Sequence, residues 1–166
     1  MLTEHAPAPN SGVHGKSRSR FRMIAWCLPP DSAARRARKL LRERLARLPL
    51  AADVIAELEV VVTELATNAA SYASGPYELR ILHDHGLPIR AEVVDAGTGS
   101  TLIEHLLHRP FSIPDRVDEL ELGGRGLRIV AELTGGNCGA HWTRLCGTGQ
   151  SGTGVWFDLP TQRHWP

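Results

Sequence analysis

Glu64 and Asn68, in the stretch ELATNA, stand four residues apart. On a helix they share one face, roughly 6 Å apart along the axis. A carboxylate so placed can take a proton from a nucleophile or polarise a water. The amide oxygen of Asn68 suits a hard cation such as Mg2+, which takes few protein ligands and fills its shell with phosphate and water oxygens. Two polar residues at the edge of an apolar helix stripe are also a common packing feature, so the pair alone does not fix a function. A second patch, VVDAGTGS, ends an apolar run on Asp95 and continues through Gly97 and Gly99. Asp95 can accept a hydrogen bond from an exocyclic amine such as that of adenine, with the glycines letting backbone approach the base. The same letters also fit a strand that closes in an Asp-Gly turn. The third patch is GGRGLRIV, which includes Gly124, Arg125, Gly126 and Leu127. Glycines at a helix entry leave free N–H groups at the positive end of the helix dipole, a setting for phosphate. Glycines serving only as a hinge are the other reading. The spacing does not fit G-x-x-x-x-G-K-[ST]. The later GTGQSGTG lacks a Lys and a following helix, and reads as a β-turn.

The elements that must position these residues follow from periodicity. RFRMIAWCL alternates loosely and predicts a strand over 20–28. Ala34, Ala37, Leu41, Leu45 and Leu48 recur at helical spacing and predict an amphipathic helix over about 32–47, stopped by Pro49. Val54, Leu58, Val61, Leu65 and Ala69, widened by Ile55, Val62 and Ala66, predict a well-covered central helix from 52 or 53 to about 73. YELRILHDHG and IRAEVVDAG read as two strands joined by a Gly-Pro turn. From 98 to 122 no period is sustained, which predicts a long functional loop. A helix on LRIVAEL and two closing strands, NCGAHWTRLC and GVWFDLP, complete the chain. Helices and strands are segregated, which predicts an α+β two-layer sandwich: a mixed β-sheet with helices on one face.

With 166 residues the chain suits one domain. The expected division is a disordered arm over 1–20, a domain over 21–160 and a short tail over 161–166. The N-terminal residues lack the apolar run of a secretory signal, and no stretch approaches the roughly 20 apolar residues of a membrane span. No membrane and a cytoplasmic location are therefore expected. The three cysteines, at 27, 138 and 146, form no C-x-x-C and read as buried thiols in a reducing compartment; a Cys138–Cys146 bridge has no motivation. Net charge is only +1, which argues against direct nucleic-acid binding. Locally, though, Arg35, Arg36, Arg38, Lys39, Arg42, Arg44 and Arg47 face only Glu43, a net +6 on one helix. Such a face is usually solvated, but it can also read an acidic partner. The spacing of His83 and His85, like that of His105 and His108, lacks the further ligands a metal site needs.

Taken together and in order, the three patches resemble the GHKL ATPase superfamily, and within it the anti-sigma-factor serine kinases with a histidine-kinase-like ATP-binding domain. The resemblance covers about 21–160. ELATNA looks like the N box, VVDAGTGS the first glycine box and GGRGLRIVAELT the second; SAARRARKLLRERL and GVWFDLP also resemble this branch. It implies a Bergerat-type fold that binds ATP and Mg2+. Glu64 would be the catalytic base, Asn68 the Mg2+ ligand and Asp95 the acceptor for the adenine amine. Gly97, Gly99, Gly124, Arg125, Gly126 and Leu127 would surround the nucleotide, with 98–122 as the ATP lid.

Three positions depart from the pattern. Tyr72 stands where many relatives carry His. Gly154 stands where Thr is common, with Thr153 one place earlier. The lid has no Lys and only Arg109, Arg116 and Arg125 as cations. The resemblance implies a protein serine/threonine kinase acting on a STAS-type anti-sigma antagonist and holding a sigma factor. Related proteins use the first-helix region against such partners, and a homodimer is a further expectation. The alternative is a non-catalytic module that uses ATP to sequester a partner, motivated by Gly154 and the lid. The catalytic half of a split histidine kinase ranks last, because no helix carries a His in a phospho-acceptor setting.

Overall fold

The computed structural model describes residues 21–108 and 124–160. Five strands and four helices follow in the order β1 (Phe21–Leu28), α1 (Ala33–Leu45), α2 (Ala52–Tyr72), β2 (Tyr77–Asp84), β3 (Leu87–Asp95), α3 (Ser100–Leu107), α4 (Gly124–Leu133), β4 (Cys138–Arg144) and β5 (Ser151–Asp158). A short 3-10 turn, Pro30–Ser32, leads into α1. The strands form one sheet in the order β1-β2-β3-β5-β4. The expected α+β sandwich is there, but all four ladders are antiparallel where a mixed sheet was expected. Two hairpins, β2–β3 and β4–β5, account for two of these ladders, since a short turn can only reverse the chain.

One face of the sheet carries the core. Leu79 and Ile81 of β2, Ala91 and Val93 of β3, and Val155 and Phe157 of β5 are buried against the helices. In α1 the buried residues are Ala33, Ala37, Leu40, Leu41 and Leu45, one stripe at helical spacing. In α2 the stripe is wider and includes Leu58, Val61, Val62, Leu65, Ala66 and Ala69. It needs that width because α2 packs against both α1 and α4 as well as β3. Buried Glu59 interrupts the apolar surface, and the Arg42 guanidinium hydrogen-bonds both of its oxygens across the α1–α2 contact. That hydrogen bond holds the Glu59 carboxyl below the usual carboxylate range. Arg42, read from the sequence as part of a free basic face, is therefore a packing residue.

Three further expectations change. The β2–β3 turn is His85–Gly86, both at positive φ (48° and 84°), while Pro88 stands inside β3 opposite His83. Two consecutive residues at positive φ make the tight reversal that a two-residue hairpin needs. Part of the expected loop is the helix α3; Ile103, Leu106 and Leu107 turn toward the core, too short a pattern to show a period. The rest of that loop, 109–122 with Arg109 and Arg116, lies outside the described residues, as do the N-terminal arm and the tail. Two of the three cysteines, Cys27 and Cys146, are exposed; only Cys138 is buried. No helix among the described residues is long and apolar enough to cross a membrane.

The other face of the sheet carries a buried ionic cluster. Arg80 donates to Glu78 at 3.0–3.1 Å, to the Thr143 hydroxyl at 3.1 Å and to the Arg144 carbonyl. Glu78 also accepts the N–H groups of Cys146 at 3.0 Å and Gly147 at 2.9 Å, which pulls the β4–β5 turn over this face. Burial alone would raise the Glu78 carboxyl, but these N–H donors and Arg80 outweigh it and leave it below the usual range.

Candidate nucleotide-binding site

Helix α2 turns Glu64 and Asn68 toward α4, and Gly126 is the residue that meets them. A Cβ on Gly126 would lie 2.7 Å from Glu64 Oε2, 3.1 Å from Asn68 Nδ2 and 3.3 Å from Asn68 Oδ1. The glycine is thus required for the carboxylate and the amide to sit side by side under α4. Asn68 Nδ2 is buried with no hydrogen-bond partner among the described residues. A buried amide left unsatisfied is costly in the free protein and ready for a ligand. A half-turn of the amide exchanges oxygen and nitrogen at that place, so the group can present either a donor or a metal ligand.

A second cluster lies where the end of α2 meets the end of β3. Asp95 is buried at 5% exposure, and its Oδ1 accepts the Gly97 N–H at 2.7 Å. A Cβ on Gly97 would lie 2.8 Å from that same oxygen and 3.2 Å from Ala73 Cβ, so this position too is closed to a side chain. Burial pushes the Asp95 carboxyl above its ordinary value, and the Gly97 N–H only partly opposes that. The ladder between β3 and β5 sets Thr153 directly opposite Asp95, and the Thr153 hydroxyl donates to the Gly97 carbonyl at 3.0 Å.

Thr153 is the site residue that sequence reasoning misplaced. Strand side chains alternate faces, so the residue in register with Asp95 shares its face and the next one points away. Gly154 points to the ionic face, where a Cβ would lie 1.9 Å from Glu92 Oε1. The hydroxyl of Thr153, one place before Gly154, is therefore the one on the Asp95 side of the sheet. Counting back by two from buried Phe157 through Val155 would have found it.

The remaining expected residues divide by role. Gly99 caps α3 and has room for a Cβ, its nearest neighbour being Ile103 at 3.7 Å, so the chain's own packing does not require glycine there. Gly124 and Arg125 open α4, with Arg125 exposed. Leu127 is buried in the core, which leaves only its backbone for a ligand. Tyr72 is 57% exposed, one turn beyond Asn68 on α2. Among the described residues no group of three or more His, Cys, Asp or Glu side chains could hold a metal by itself. A cation here would need ligands from elsewhere, as Mg2+ bound with a polyphosphate has.

Against this geometry, the family model for the histidine kinase-like ATPase domain matches residues 29–135. The chain belongs to that family. The matched span contains the Glu64–Asn68 pair, Asp95, both glycine patches and α4, and ends just before β4. Among solved structures, the Mycobacterial sensor histidine kinase MprB is 17% identical, with 81% of this chain and 97% of that chain covered, at a TM-score of 0.39. No curated protein matches.

The residues present fit ATP with Mg2+: an unpartnered buried amide beside a carboxylate, a glycine cradle at a helix entry, and a buried acceptor in a second cluster. Bound ATP accompanied by Mg2+ would supply a transferable phosphoryl group. Asn68 would hold the cation, the α4 entry would face the phosphates, and Asp95 would accept the adenine amine. The ionised Asp95 is the better acceptor, and its carboxyl titrates above the ordinary range. ATP affinity should therefore fall on acidification at a higher pH than an ordinary aspartate would cause. Calorimetric titration of ATP across a pH series checks this, with Asp95→Asn as reference, since both proteins share the titration of the phosphates. Parallel curves for the two proteins would remove Asp95 from the base-recognition role.

Proposed function

We propose that this protein is a cytoplasmic regulatory ATP-binding serine/threonine kinase of the anti-sigma type. It phosphorylates a STAS-type antagonist protein and holds a sigma factor when the antagonist is absent. The observation that carries the reading is the Glu64–Asn68 pair against Gly126. Glu64 would take the proton from an attacking serine hydroxyl, within the same shared face as the amide that suits the cation. The non-catalytic alternative drew on Gly154 and the lid; Thr153 carries a hydroxyl beside Asp95, which weakens the first ground, and the lid sequence over 109–122 lies outside the described residues. Incubation with labelled ATP and candidate STAS-type partners tests the proposal. Label on a partner serine is the expected result; ATP binding with no transfer to any partner would overturn it in favour of a binding module.

Helix α1 is the proposed recognition surface for an acidic partner. Arg35, Arg36, Arg38 and Lys39 are exposed, with Lys39 in an exposed pair with Glu43 at 3.9 Å. Arg42 is unsuited to a charge-reversal test, since a glutamate there would face Glu59 across the α1–α2 contact. Arg35→Glu with Arg36→Glu leaves that contact intact. The double variant should slow association with the partner and flatten its salt dependence, because steering is screened beyond roughly 8 Å at physiological salt. ATP affinity should not change. An unaltered association rate in stopped-flow mixing would return α1 to an ordinary solvated face.

A further inference from the structure

We propose that Cys27 and Cys146 form a thiol pair that a low-molecular-weight disulfide oxidises to an intramolecular bridge, clasping the β4–β5 turn to strand β1. Nothing in the nucleotide site uses these residues, and the inference does not depend on the proposed kinase activity. The two thiols are 119 positions apart in sequence, yet both residues meet Glu78. Cys27 is the direct register partner of Glu78 in the β1–β2 ladder. The Glu78 carboxylate accepts the N–H groups of Cys146 and Gly147. The Cys146–Gly147 peptide therefore lies over the row of the sheet that begins at Cys27. The Cys27 sulfur confirms the approach: it lies 3.9 Å from where a Cβ on Gly147 would sit. Both thiols are exposed, and β1 is an edge strand, so an oxidant can reach them.

The third thiol differs. Cys138 is buried on the core face, and burial pushes its thiol above the usual range. That environment makes it a poor nucleophile. The chemistry balances with glutathione disulfide as oxidant. One cysteine thiolate attacks the oxidant's S–S bond, releasing one glutathione and forming a mixed disulfide. The second cysteine thiolate attacks the protein sulfur of that mixed disulfide and releases the second glutathione. The two cysteines lose two protons and two electrons, and the oxidant is reduced to two thiols. A bridge closing so long a loop restricts the unfolded chain and stabilises the clasped fold.

The test treats the full chain with excess glutathione disulfide, alkylates the remaining thiols in denaturant, and reads intact mass and a peptide map. The expected product is a monomer about 2 Da lighter before alkylation, with Cys27 joined to Cys146 and Cys138 alkylated. It should melt about 5 °C or more above the reduced form and return to the lower midpoint with dithiothreitol. Cys27→Ser and Cys146→Ser, both exposed and safe to change, should each stop at a glutathione adduct on the surviving partner. Stable adducts on both cysteines without a bridge, a bridge that includes Cys138, or covalent dimers alone would overturn the proposal.

Discussion

Glu64→Gln should lower phosphoryl transfer by roughly 10²–10⁴-fold while leaving ATP affinity near that of the parent. The substitution keeps the shape that faces Gly126 at 2.7 Å from its Cβ direction and removes only the capacity to take a proton. Losing a general base of this kind is worth about 3–5 kcal/mol of barrier. Binding should survive because, in the proposed site, the phosphates, the cation and the base would be held by other groups, at α4, Asn68 and Asp95. Single-turnover transfer to a serine partner, measured beside ATP calorimetry, separates the two effects. Transfer at the parental rate would take the base role away from Glu64. A parallel fall in ATP affinity would mean that the carboxylate supports the site rather than the chemistry.

Asn68→Ala should cut Mg2+-dependent ATP affinity by about 100-fold or more, since the proposed metal ligand would be removed outright. The same change should not weaken the free protein. Asn68 Nδ2 is buried without a partner, so its removal breaks no hydrogen bond with the described residues and relieves an unsatisfied donor. A melting midpoint equal to or above the parental one, together with lost Mg2+-ATP binding, is the expected pair of results. Calorimetry with Mg2+ and with a chelator, plus thermal melts without nucleotide, reads both. Equal ATP affinity in variant and parent would remove Asn68 from the metal site. A lowered midpoint would show that the amide is there for packing.

Helices α1, α2 and α4 were legible because their buried positions repeat every three or four residues, as in Leu58, Val61, Val62, Leu65 and Ala69. The Glu64–Asn68 pair was legible for the same reason: its geometry is local to one helix. Asp95 was legible as the end of an apolar strand. Helix α3 was not, because eight residues interrupted by Glu104 and His105 show too little of a period.

The sequence by itself determined which residues share a face within each element, including the Glu64 carboxylate and its amide neighbour. Tertiary structure decided what each face meets. Gly126 is a glycine because α2 lies under it, and Arg42 is bound because Glu59 on another helix needs a cation. Thr153 rather than residue 154 faces the Asp95 side because the ladder to β3 sets the register, and a shift of one residue reverses every side chain. Cys27 lies beside the turn that carries Cys146 because Glu78 draws that turn across the sheet. Periodicity is a property of consecutive residues, so it survives in the sequence. Contacts between segments far apart in the chain depend on how whole elements pack, and no local spacing records them.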